Sequence, residues 1–306
     1  MIHTHRTAVW PIFIVLCLLL APAFAEAAPR VVASIKPVHA LVAGVMNGAG
    51  TPRLLIKGGA TPHMHALRPS QARLLQQADV VFWVGPELES FLVKPLTRGR
   101  TGRRVVALSA ASGIQLRAAG GVEANSDHRD AAHKDMHIWL DPANARAMVD
   151  AIAAALATAD PPGAARYRAN AQGLHARLAV LDASLGKKLA AVRHVPFIAY
   201  HDAYGYFIAR YGLKAVGAIT ASPEHRPGVA RLRRLRRAIV SHGVRCVFTE
   251  PEFEPAIVRA LVRGTPARIA VLDPLGAGIP PGKDAYFNLM HALAGSLTAC
   301  LVPGKG

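Results

Sequence analysis

The 306-residue sequence predicts an α/β protein built as two lobes joined by one long helix. Three observations predict it. Short apolar runs alternate with helix-length segments over residues 31–108, and the alternation returns over residues 195–301. Between the halves, Ala164 to Val192 carries a helical pattern with no internal proline. The chain is also long enough for two domains of ordinary size, each with its own core. At 52% hydrophobic residues, with Gly and Pro spread along it, the composition is globular.

The first segment stands apart. Arg6 precedes an apolar run from Ala8 to Leu20, which leads into Ala23-Phe24-Ala25, a small-x-small cleavage pattern. This reads as a secretory signal peptide over residues 1–25, cleaved near Ala25. The run is short for a bilayer span, and no later stretch approaches the ~20 apolar residues a span needs. No stable membrane insertion is expected after cleavage. Cys17 lies inside the run, well before the cleavage pattern, which argues against a lipid-attachment role.

Within residues 29–160, Val31–Ile35 reads as a buried strand, and Pro37 opens a helix that ends at Asn47-Gly48. Arg53–Ile56 is a second strand, followed by the loop Gly58–Pro62. Ser70 is placed to cap a helix running to Gln77. Val80–Val84 is a strand, Leu88–Leu96 a helix and Arg104–Leu108 a strand. Residues 117–136 break the alternation with a polar loop that holds Asp127, His128, Asp130, His133 and Asp135. Asn144–Ala159 is Ala-rich and helical, and Pro161-Pro162-Gly163 interrupts it. The long helix then occupies residues 163–193 as a strut between the lobes.

Residues 194–306 repeat the pattern. The strands are Val195–Ala199, Lys214–Ile219, Val244–Thr249 and Arg268–Leu272. The helices are Ala203–Tyr211, Gly228–Ser241, Pro255–Arg263 and Ala285–Leu301. In such sheets ligands sit beyond the carboxyl ends of the strands, so a crevice between the lobes is the expected site.

The formal net charge is +17, which raises nucleic acid as a partner. The export signal argues against it, and the arginines are scattered. The densest group, Arg231, Arg233, Arg234, Arg236 and Arg237, surrounds an apolar stripe of Leu232, Leu235 and Ile239. That is the solvated face of an amphipathic helix. Signal cleavage leaves Cys246 and Cys300. An oxidising compartment favours a bridge between them, with two buried thiols as the other reading.

Three histidines share a context. His63 lies in the loop after the second strand, His137 just before Ile138-Trp139-Leu140, and His201 after the strand Val195–Ala199. Neutral imidazole is the commonest metal ligand, and three nitrogens suit Zn²⁺ with one further donor. Asp273, after the strand Arg268–Leu272, is the fourth candidate. The chain has 14 histidines, so position alone leaves satisfied structural residues as the competing reading. Enzyme motifs are thin. His63-Met64-His65 is an H-x-H pair, but no H-E-x-x-H helix, G-x-S-x-G elbow or phosphate-binding loop occurs. An exported zinc-dependent hydrolase is the alternative of another class.

The ordered segments SIKPVHALVAGVM (34–46), GATPHMHALRPSQARLLQQADVVFWVGPELESFLVKPL (59–96), DMHIWLDPANA (135–145), YHDAYGYFIARYGL (200–213), HGVRCVFTEPEFEP (242–255) and LDPLG (272–276) cover nearly the whole chain after the signal. With them the chain resembles the periplasmic zinc-binding proteins of ABC importers, within the zinc/manganese solute-binding family. The resemblance implies two Rossmann-like lobes joined by a long rigid helix, with the metal in the inter-lobe cleft. It implies His63, His137 and His201 as zinc ligands, a Cys246–Cys300 disulfide, and high-affinity zinc capture as a periplasmic monomer for delivery to an ABC membrane permease. Manganese-binding relatives place a carboxylate where this chain has His201, and imidazole moves preference toward zinc. A manganese or mixed-metal protein of the same fold is the alternative. Position 62, a Glu in some zinc members, is Pro62 here, which leaves Asp273 or a water as fourth ligand. His128 and His133 match a His-rich loop and are read as a weak metal-collecting site.

Overall fold

The computed structural model describes residues 28–98, 101–120, 134–223, 226–253 and 256–302. The signal peptide and the loop histidines His128 and His133 lie outside the described residues.

Two four-stranded parallel sheets form the lobes. The first holds β1 (Val31–Ala33), β2 (Arg53–Leu54), β3 (Val80–Trp83) and β4 (Arg104–Ala107), in the order β2-β1-β3-β4. The second holds β7 (Phe197–His201), β8 (Ala215–Thr220), β9 (Cys246–Thr249) and β10 (Arg268–Val271), in the order β10-β9-β7-β8. Numbered within each lobe, both orders are 2-1-3-4. The strand order therefore reverses at β1/β3 in one lobe and at β7/β9 in the other, which is where such sheets open a ligand crevice.

Helices cover the sheets: α1 (Lys36–Val45), α2 (Pro69–Gln77) and α3 (Ser90–Thr97) in the first half, α6 (Gly205–Tyr211), α7 (Val229–Ser241), α8 (Ala256–Val262) and α9 (Ala285–Leu301) in the second. Several bounds differ from expectation. Ser70 lies inside α2, and Arg68 takes the cap, its N–H donating to Gln71 Oε1 at 2.9 Å. Pro69 at the first position sets the helical φ and needs no N–H there, so the helix starts before Ser70. The polar loop is closed by two short antiparallel strands, β5 (Arg117–Ala118) and β6 (Lys134–Asp135).

Between the lobes run α4 (Pro142–Ala159) and α5 (Ala164–Leu189), the latter extended by a 3₁₀ turn at Ala190–Val192. Asp141 caps α4 by accepting the Ala143 N–H at 2.8 Å, with Pro142 at the first position. The 26 residues of α5 span about 39 Å. Its buried stripe is Leu174, Leu178, Leu181, Leu185 and Leu189, spaced three or four apart. Each such burial contributes about 1.5–3 kcal/mol. α1 crosses this stripe closely: a Cβ on Gly44 would stand 2.9 Å from Leu174 Cδ1.

The expectation of one core per lobe is not met. A single apolar cluster runs from Val38, Leu41 and Val45 of α1, through Met148 and Ile152 of α4 and the α5 leucines, to Met290, Leu293 and Leu297 of α9. Only the outer faces of the sheets have separate clusters. The C-terminal helix packs on both α1 and α5, so its apolar surface belongs to both halves. Polar contacts also cross between them. Trp139 Nε1 donates to the Pro274 carbonyl at 2.8 Å, and the Tyr286 hydroxyl donates to the Trp139 carbonyl at 2.8 Å. Leu235 and Ile239 of α7 are buried, with most of its arginines outward.

A disulfide joins Cys246 of β9 to Cys300 of α9 across 54 residues. In the chain-entropy account, closing a loop of that length stabilises the fold by roughly 4 kcal/mol. The Cys300→Ser variant is therefore expected to melt roughly 10 °C lower. Reductant should lower the wild-type melting temperature similarly in a thermal unfolding experiment, and leave the variant unchanged.

Candidate metal centre

His63 is carried by the loop after β2. His137 follows β6 and opens the 3₁₀ turn Ile138–Leu140. His201 is the last residue of β7, one step inside the strand rather than after it. Chain reversal at the strand ends brings all three together. His63 Nε2 lies 3.3 Å from His137 Nε2, and His201 Nε2 lies 3.3 Å from His137 Nε2. The three donors all fall within 4.8 Å of one another. His137 and His201 are buried and His63 is half-buried.

The ring orientations have visible causes. His137 Nδ1 donates to Asp135 Oδ1 at 2.8 Å, and the His137 backbone N–H donates to the same oxygen at 2.9 Å. His201 Nδ1 donates to Glu250, at 2.7 Å from Oε2 and 2.8 Å from Oε1. With Nδ1 protonated, each Nε2 keeps its lone pair, and that lone pair faces the pocket. Glu250, which directly follows β9, is held in turn by the Tyr204 hydroxyl at 3.0 Å. The Tyr206 hydroxyl donates to the Asp135 carbonyl at 2.8 Å. Gly205 lets these elements meet: a Cβ there would stand 2.9 Å from Asp135 Oδ2.

Electrostatics separate the rings. Burial, with His137 and His201 close by, holds His63 down to about 2, so it is neutral at any physiological pH. Burial also pushes His201 down, but the charge and hydrogen bond of Glu250 outweigh it and the group ends above its ordinary value.

The pocket is a small, partly open cavity of about 10 Å³, room for one water-sized group. Besides the histidines it is lined by Pro62, Trp139, Glu250, Glu252 and Leu275. Asp273 is not brought into the donor group. Its Oδ1 accepts the N–H groups of Leu275 at 2.9 Å and Gly276 at 2.7 Å, and its Oδ2 accepts that of Ala277 at 2.6 Å. It braces the turn whose Pro274 and Leu275 wall the pocket. Sequence reasoning missed Glu250 and Glu252, and it treated Asp135 only as part of a polar loop. The signal was present: both glutamates follow the strand Val244–Thr249, as the histidines follow theirs.

Nitrogen donors on a tetrahedral ion with bonds of about 2.0–2.1 Å stand about 3.3–3.4 Å apart. The two measured separations match that spacing. Two parallel α/β lobes tied by a long helix, with a small histidine-lined pocket at the strand ends between them, define a two-lobed solute-binding protein. The chain belongs to the family of periplasmic zinc-uptake complex component A proteins, ZnuA, whose sequence model matches residues 31–300. It is therefore a transport component, not an enzyme. It is 41% identical over 305 residues to the high-affinity zinc uptake system protein ZnuA of Brucella abortus (strain 2308), covering 89% of this chain and 91% of that one. It is 36% identical over 301 residues to the protein of that name from Yersinia pestis, covering 93% and 95%. Its fold matches the periplasmic zinc binding protein TroA from Treponema pallidum with a TM-score of 0.76 at 21% identity, over 90% of this chain and 99% of that one.

The Gly205→Ala methyl would press on Asp135 Oδ2. The variant is expected to lose about 1–3 kcal/mol in denaturant unfolding. It should also shift the His137 ring signals in NMR while leaving those of His175, a surface residue, in place.

Proposed function

We propose that the protein captures Zn²⁺ in the periplasm through the Nε2 atoms of His63, His137 and His201 and hands it to an ABC importer membrane permease. One observation carries the reading. Three imidazole nitrogens converge within 4.8 Å of one another in a small pocket, His137 standing at tetrahedral spacing from each of the other two, and two of them are backed by buried carboxylates. The zinc-uptake names of the curated relatives support it. Capture needs no bond chemistry: the ion exchanges its water for imidazole, and the surrounding apolar walls exclude competing solvent.

Zinc is favoured over manganese on two grounds. A third imidazole suits the borderline ion better than the hard one, and a near-octahedral ion would draw its donors toward right angles. Asp273 keeps its turn and a water takes the fourth position. In this reading the working parts are the lobe 29–160, the helix 163–193 and the lobe 194–306. The signal peptide is cleaved near Ala25, and the mature chain acts as a monomer without nucleic acid.

Metal that binds only the folded state raises the melting temperature. His63→Ala, His137→Ala and His201→Ala should each remove most of the zinc-induced rise seen with the wild type, and Mn²⁺ should give a smaller rise than Zn²⁺. Retention of the full zinc effect in all three variants would sink the assignment.

The pH dependence has a definite sign. A proton on His201 Nε2 blocks the ion, and Glu250, bonded to Nδ1 on the far side of the ring, lets His201 take up that second proton at higher pH than an ordinary histidine does. Zinc affinity should therefore fall as pH drops through a value above 6.5. Glu250→Gln should lower affinity roughly 10- to 100-fold at neutral pH and move the fall to lower pH. Competition titrations with a chelator between about pH 5.5 and 8 would check both effects.

A further inference from the structure

Glu252 is the one group lining the pocket whose chemistry remains unused. Both carboxylate oxygens are out of solvent, and among the described residues neither finds a hydrogen-bonding partner. Leaving such a group unsatisfied costs free energy, so its place calls for an explanation. The nearby cation does not supply one. Lys36, buried at the start of α1, donates its ammonium to the carbonyls of Gly276 and of Ala277, the latter at 3.0 Å. Of the other carboxylates around the site, Asp135 is engaged by His137, Glu250 by His201 and Tyr204, and Asp273 by its own turn, while Asp202, whose Oδ1 also lacks a partner among the described residues, does not line the pocket.

Direct ligation does not fit. A fourth tetrahedral donor would stand about 3.3 Å from each imidazole nitrogen. Glu252 is outside the group of donors that lie within 4.8 Å of one another. The gap between it and the histidines is the cavity itself, sized for a single water.

We propose that Glu252 is a positioning residue for the metal, holding the water that fills the ion's fourth position and supplying a negative charge one hydrogen bond away from it. A water on a divalent cation is a strong donor, and a buried carboxylate with two open oxygens is its natural acceptor. The ion carries two positive charges, and three neutral imidazoles bring none to offset them. Glu252 and Glu250 place carboxylates on the second-lobe side, so the loaded pocket is electrostatically balanced while the empty one is not. Burial, with the charge of Asp273, pushes the Glu252 carboxyl up to about 7, which reflects the same imbalance.

This inference rests on the three-histidine reading, and the test separates the two. Zinc affinity by chelator competition and the metal-free melting temperature are measured for the mature chain and for its Glu252→Gln, Glu252→Ala and His201→Ala variants. Glu252→Gln and Glu252→Ala are expected to weaken zinc roughly 10- to 100-fold. The metal-free melting temperature of Glu252→Gln should equal or exceed the wild type, because an unpartnered buried carboxylate has been removed. Wild-type zinc affinity in both Glu252 variants would overturn the proposal. So would a lower metal-free melting temperature in Glu252→Gln accompanying the weaker binding, since that marks a merely structural side chain. If His201→Ala also binds zinc as the wild type does, the three-histidine reading itself has failed.

Discussion

The hydrogen bonds from His137 Nδ1 to Asp135 and from His201 Nδ1 to Glu250 are the constraint on which the site depends. A buried imidazole has two nitrogens and two tautomers, and only one tautomer leaves a lone pair facing the pocket. The carboxylates choose that tautomer from behind and keep each ring from turning. Asp135 and Glu250 are themselves pinned by Tyr206 and Tyr204, which come from one short stretch at the start of α6. That stretch follows His201 directly, so a single strand end delivers a ring, a bond to the Glu250 carboxylate and a bond to the Asp135 backbone carbonyl.

The same constraint explains the shape of the rest. Rings held to a few tenths of an ångström are useful only if the halves that carry them hold still. The shared apolar core of α1, α4, α5 and α9 supplies that rigidity, because no boundary of weak packing runs between the lobes along this side. The mouth is braced separately. Trp139 and Lys36 from the first half both bond the turn that follows β10, and Asp273 gathers that turn's N–H groups. Asp273 therefore braces the pocket wall.

Electrostatically the empty pocket is built under tension. Three basic rings face one another, with His63 held neutral by burial and its neighbours, while carboxylates crowd behind and beside them. Such an arrangement is costly in low dielectric without a cation. In the proposed reading a divalent ion relieves both sides at once.

The alternation of strands and helices and the long proline-free helix were legible in the chain because each rests on local pattern, period and turn residues, whereas the three histidines stood out only as candidates at strand ends until the ordered segments around them were read together. Strand bounds slipped by one or two residues, since burial on both faces leaves parallel strands with no alternation to mark their ends. The shared core and the identities of the supporting carboxylates were not legible. Glu250 and Glu252 stand two residues apart in one acidic motif, yet one is bonded to an imidazole and the other has no side-chain partner among the described residues. Asp273 was placed by the same rule that found His201, and only the tertiary structure shows that its oxygens accept the N–H groups of its own turn. By itself the sequence determined which residues could bind a metal and on which strand ends they sit. The tertiary structure alone decided which nitrogens converge, which carboxylates stand behind them and which one is left over. These are distances between segments far apart in the chain, and no local pattern encodes them.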